Sequence, residues 1–109
     1  MIKGRVKFLD TWPNWDDSIH EDEKQIERQG RAMTYPFTFK IDQENKCGKF
    51  SSTTGVPYYE THLDSCTCND FTERQKPCKH IYRLAVELGL IEIVKRHGGG
   101  YDKKKLEEI

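Results

Sequence analysis

Three cysteines and one histidine stand in two short pairs, Cys66-Thr67-Cys68 and Cys78-Lys79-His80, with nine residues between them, Asn69 to Pro77. Three thiolates and an imidazole nitrogen are a ligand set that closes a tetrahedral structural zinc site. Each pair offers two corners from one end of the intervening loop, and the loop brings the pairs together. Residues two apart lie far round a helix from one another, so Cys66 and Cys68 reach one ion only if the chain hooks between them. Asn69 and Asp70 suit a turn just beyond. Pro77 suits the first position of a helix, because its φ is already fixed near the helical value. Cys78 then sits at the positive end of the helix dipole, where a thiolate is favoured, and His80 projects from the first turn.

Disulfides and unrelated reduced thiols are the competing readings. The sequence shows no hydrophobic leader, and the expectation is a reducing, cytoplasmic setting in which disulfides are disfavoured. Iron–sulfur ligation more usually takes four cysteines, and the fourth, Cys47, is remote in sequence. Cys47 reads as a small buried hydrophobe, and His62, the rival imidazole nearby, as a surface strand residue. Four protein ligands leave no corner for the water or substrate that catalytic zinc requires. The Cys-x-x-Cys and His-x-Glu of zinc deaminases are absent from the sequence. So are a phosphate-cradling glycine loop, a nucleophile elbow and a paired-histidine helix. The expectation is a binding module and not an enzyme.

These ligands need elements to hold them. Residues 2–8 alternate, with Ile2, Val6 and Phe8 on one face beside Gly4 and with Lys3, Arg5 and Lys7 on the other, as in a half-buried strand. Trp12 and Trp15 flank a turn, either as plugs of a core seam or as anchors for a partner. Ser18 and Glu21 have the spacing of a capping box. They predict a helix from Ile19 to about Gln29, stopped by Gly30. Ile19 and Ile26 give that helix only a thin apolar stripe, so it is expected on the surface or docked on a partner. Tyr35 to Asp42 alternates with Phe37, Phe39 and Ile41 inward, and Cys47 to Thr53 returns as the second arm of a hairpin. Pro57 to Leu63 forms a strand that delivers the chain to Cys66. Ile81, Leu84, Ala85 and Leu88 recur at helical steps. The helix ends near Gly89, and Leu90 to Val94 follows as a short apolar stretch, helical or extended. The glycines at 98–100 break the chain, and residues 98–109 form a flexible or helical tail. The fold class is α+β. A small antiparallel sheet leads to a zinc-stabilised hook and a helix, in the manner of a ββα zinc finger, with one N-terminal helix and one domain over residues 1–97.

Cys-x-Cys, a spacer and Cys-x-His together resemble the SWIM-type zinc finger. Tyr58 and Tyr59 before the first pair, Phe71 after it, and Pro77-Cys78-Lys79-His80-Ile81 leading into an apolar helix extend the resemblance over about residues 55–90. The resemblance implies Zn²⁺ on Cys66, Cys68, Cys78 and His80, in a module that binds DNA or protein. It implies no reaction.

In a chain of 109 residues, 33% charged and 35% hydrophobic, only a modest fraction of the surface is buried, so a structural metal matters to stability. Eighteen basic and eighteen acidic side chains give a formal net charge of zero. That argues against a dedicated non-specific nucleic-acid binder but leaves room for a local patch. Arg74, Lys76, Lys79 and Arg83 form such a cluster, opposed locally by Glu73, and contacts from them to phosphates would position DNA. The same cations would also offset the negative charge of three thiolates around one divalent ion. Nucleic-acid binding, with DNA favoured, is the first expectation, raised by the resemblance and held down by the charge balance; protein binding with a purely structural zinc is the alternative. The thin helix, the two tryptophans and the neutral charge favour the second. No apolar run approaches the roughly twenty residues that span a bilayer.

Overall fold

A computed structural model describes residues 4–51 and 58–95. Ile2 and Lys3 of the first alternation, the hairpin end at 52–53, Pro57 and the tail at 98–109 lie outside the described residues. The architecture is α+β, and its strands form two sheets where the alternation alone pointed to one. Strand β1, Gly4–Phe8, pairs antiparallel with the last strand, β6, Ile91–Lys95, in register from Gly4↔Lys95 to Phe8↔Ile91. The stretch after the final helix is therefore extended: Ile91 is buried and Ile93 half-buried, while Glu92 between them is exposed. The second sheet is a meander of β2 (Phe39–Asp42), β3 (Cys47–Ser51), β4 (Tyr58–His62) and β5 (Ser65–Cys66). Phe50 is fully buried on its inner face, with Phe37 and Phe39 packed on its ring at centroid distances of 5.3 and 5.4 Å. Gly48 next to it meets a tight spot. A Cβ there would come within 3.0 Å of Ile41 Cδ1 and 3.2 Å of the Lys40 carbonyl oxygen.

The N-terminal helix departs from expectation at both ends. Ser18 caps nothing. Asp16 accepts from the Ser18 amide at 3.0 Å and starts a single 3₁₀ stretch, Asp17–Glu21, and Asp22 then caps the longer helix α1, Glu23–Thr34. Two aspartates placed where a side-chain oxygen can reach the free amides displace the serine. Gly30 does not stop α1 but lies buried within it. Glycine costs a helix about 1 kcal/mol relative to alanine without breaking it. The stop is Tyr35, held extended at φ −73° and ψ 137°, because the proline that follows it disfavours the helical region.

Helix α1 is not a surface helix. Its buried face carries Gln25, Ile26, Gln29, Gly30 and Ala32, and it packs against β1 and against the last helix, α3 (Lys79–Glu87). Polar glutamines supply much of the stripe, which is why hydrophobic spacing reads it as thin. Helix α3 ends in a Schellman motif. The Leu90 amide reaches the Ala85 carbonyl and the Gly89 amide the Val86 carbonyl, each at 3.0 Å, and Gly89 takes φ 79°. That closure turns the chain directly into β6. One core then joins Trp12, Ala32, Ile81, Tyr82, Ala85, Leu90 and Ile91 to the three clustered cysteines. Both tryptophans belong to this packing. Trp12 is buried and stacked on His20, and half-buried Trp15 donates from Nε1 to the Leu63 carbonyl at 2.9 Å. Among the described residues, no helix is long and apolar enough to cross a membrane.

Candidate metal centre

Cys66, Cys68, Cys78 and His80 are all buried, and their candidate ligand atoms lie within 4.8 Å of one another. Cys66 ends β5. Alternate residues of an extended chain share a face but stand too far apart for one ion, and a bend at residues 67–68 closes that gap. Thr67 holds the bend against β4, donating from its amide to the Glu60 carbonyl at 3.1 Å and accepting from the Glu60 amide on Oγ1 at 2.9 Å. Cys68 is the N-cap of helix α2, Asn69–Arg74, and its sulfur accepts from the Phe71 amide at 3.5 Å. The expected open turn after the first pair is thus a helix, closed by Gln75 in the left-handed region at φ 59°. Its legible signal is the Asp70–Arg74 pair, acid before base at the i,i+4 spacing.

The helix start at the second pair is displaced by two positions from expectation. Cys78 itself is the N-cap of α3, extended at φ −94° and ψ 176°, with Lys79 as first helical residue and His80 as second. Pro77 lies before the helix, and its carbonyl accepts from Gln25 Nε2 at 2.9 Å. Two cysteines therefore sit at helix starts, where the dipole favours negative sulfur.

His80 turns Nδ1 to the thiols, at 3.7 Å from Cys66 Sγ and 3.6 Å from Cys78 Sγ. Zn–S bonds of about 2.3 Å and a Zn–N bond of about 2.0 Å at the tetrahedral angle set sulfur and nitrogen about 3.6 Å apart. The two observed sulfur–nitrogen separations are close to that edge length. The imidazole is fixed between Phe37, Phe50 and Tyr59, with ring centroids 5.1 to 5.5 Å away. Thr61 Oγ1 lies 3.3 Å from Cys66 Sγ, a hydrogen bond that orients a ligand from behind.

Charge completes the fit. Hydrogen bonds from Cys66 and Cys78 hold the Cys68 thiol far below its ordinary value, while burial pushes Cys78 well above it. A divalent cation held by the four residues would supply the field that favours thiolate over thiol. The four residues are positioned to bind a zinc ion, and all four corners come from the protein. Cys47 and His62 stand apart from them as cross-strand neighbours in β3 and β4, half-buried and exposed respectively.

Of the four cations of the sequence reading, two are engaged by partners within the chain. Arg74 donates from Nη2 to Gln25 Oε1 at 2.6 Å, and its Nε stands 3.7 Å from Asp70 Oδ1, too far for a hydrogen bond. Arg83 donates to Glu87 Oε2 at 2.8 Å and to the Ala32 carbonyl at 3.1 Å, with its guanidinium over the Phe39 ring. Lys79 is half-buried with Nζ over Tyr35, and Lys76 is exposed. A residue that sequence reasoning missed, Arg28, clamps Asp70 with two bonds of 2.7 Å. That clamp holds the Asp70 carboxyl below its ordinary value. With Gln25 it ties α1 to the metal loop.

Residues 61–89 match the family model of the SWIM zinc finger. The match spans the end of β4, both ligand pairs and α3. No curated protein and no solved structure matches the chain.

Proposed function

With a SWIM zinc finger at residues 61–89 as the premise, we propose that the chain is a protein-binding module in which zinc is purely structural and no reaction is catalysed. The observation that carries this reading is an exposed apolar strip. Phe8 and Leu9 have 41% and 57% of their surface accessible and line one open depression together with Pro13 and Trp15, and apolar side chains gathered in a surface patch mark an interaction site. Zero net charge agrees. The internal partners of Arg74 and Arg83 also agree, because they withdraw two cations from phosphate contact. A closed four-ligand site supports the non-catalytic part.

Nucleic-acid binding is the second reading, favoured by exposed Lys76 beside Lys79. The two separate in one set of measurements. Zinc-loaded full chain, used as bait in extract of its native cell treated with nuclease, is expected to retain a defined protein that Cys78→Ser does not. Labelled single- and double-stranded DNA at about 50 mM salt is expected to show no tight binding. DNA affinity in the micromolar range or better, falling steeply with salt and lost on Lys76→Glu, would replace protein by nucleic acid.

A further inference from the structure

We propose that the groove between the end of β1 and the Trp12–Asp17 turn receives an extended segment of a partner protein, carrying an apolar side chain flanked by lysine or arginine; this rests on the protein-binding reading above. The groove is open, with a volume of about 500 Å³, and its lining includes Phe8, Leu9, Pro13 and Trp15 together with Asp10 and Asp17. It is built and not incidental. The amides of Leu9 and Asp10 both donate to the Leu90 carbonyl, at 2.9 and 3.1 Å, so the backbone at the strand end is tethered, with Leu9 exposed. Trp15 is tethered through Nε1 to the Leu63 carbonyl and packs edge-on against Phe71. A surface whose ordering cost is already met in the free protein binds with less penalty.

The occupant follows from charge. Among the described residues, the groove is lined by two carboxylates and no cation, and neither carboxylate is held in an ion pair. Asp10 accepts only from the Thr11 amide next to it, at 2.7 Å. An apolar lining with two carboxylates and no cation selects an apolar anchor and attracts neighbouring cations. Nucleic acid and acidic peptides are repelled by the same carboxylates.

Trp12 and Trp15 are the only tryptophans of the chain, and both line the groove, so their emission reports occupancy. The probe is a displayed library of random twelve-residue peptides, panned against zinc-loaded full chain. Enriched peptides are expected to carry a large apolar residue flanked by Lys or Arg. The synthetic form of the most enriched one is expected to change the tryptophan emission on binding. Leu9→Asp should weaken it at least tenfold, and Asp10→Lys with Asp17→Lys should turn the preference toward acidic flanks. These are exposed positions, and an unchanged zinc content and melting temperature verify that each variant is folded. Enriched peptides without basic residues, or binding indifferent to Leu9→Asp, would overturn the groove while leaving the protein-binding reading in place. A dimer dissolved by Leu9→Asp would make the occupant a second copy and overturn it equally. An unenriched library together with tight oligonucleotide binding would remove both.

Discussion

Thr61 shows how much a single side chain behind the metal matters. The residue is fully buried, and its hydroxyl lies 3.3 Å from Cys66 Sγ. Partners of this kind set ligand orientation and typically carry a factor of about 10–100 in metal affinity. Thr61→Val keeps the shape and removes the bond. It is expected to weaken zinc binding about tenfold in competition with a chromophoric chelator, with little change in circular dichroism at saturating zinc. His20 illustrates a second residue-scale effect. Burial holds its pKa below the ordinary value, and its Nδ1 contacts the Tyr82 hydroxyl at 2.7 Å. The unfolded chain therefore takes up the proton first. The stabilisation that depends on neutral His20 is complete above the unfolded pKa of about 6.5 and is lost as pH falls below it. Between pH 7.5 and 5.5 the melting temperature at saturating zinc should fall further for the native chain than for His20→Gln. Equal slopes would show that His20 contributes nothing to the pH dependence.

At the scale of elements, α1 and the metal loop are fastened by polar side chains. Gln25 donates to the Pro77 carbonyl and the Tyr82 hydroxyl and accepts from Arg74. Removing it leaves buried groups unsatisfied on two other segments, each costing about 1–3 kcal/mol. Gln25→Ala is expected to destabilise the fold by about 2–3 kcal/mol in urea titration. Gln25→Leu should not restore it, because volume is not what is lost. A near-neutral Gln25→Leu would show that the site is simply a hydrophobic seat. This seam was illegible in the sequence for a definite reason. Helical amphipathicity is read from apolar residues, and here glutamines occupy the inward positions. The short helix α2 was hidden likewise, since its cap is a cysteine, a residue with little capping preference of its own.

For the molecule as a whole, the metal centre and the core are one object. The clustered cysteines pack with Trp12, Phe71, Ile81 and Tyr82, and α3 contacts α1, β4 and β6. Zinc binding energy in small structural sites is on the order of 10 kcal/mol, and it is folding energy. Chelation is therefore expected to release amide protection across α1 and the β1–β6 pair as well as across residues 61–89, measured by hydrogen exchange before and after complete zinc removal. Protection persisting in α1 and β1–β6 would show that these elements fold without the ion.

The ligand set was written in the sequence because coordination chemistry depends on residue type and spacing, and Cys66, Cys68, Cys78 and His80 satisfy both locally. The strand alternation of β2 to β4 and the apolar face of α3 were legible for the same reason, since each is a short-range periodicity. What required the tertiary structure was everything that joins distant segments. β1 finds β6 across more than eighty positions of the chain. Arg74 and Arg83 turn inward to partners that lie 49 and 51 residues away, and Phe8 and Leu9 come to line one groove with Trp15. A side chain's identity sets what it can bond. Only the packed fold decides which of its possible partners stand within reach, and whether water or protein covers it.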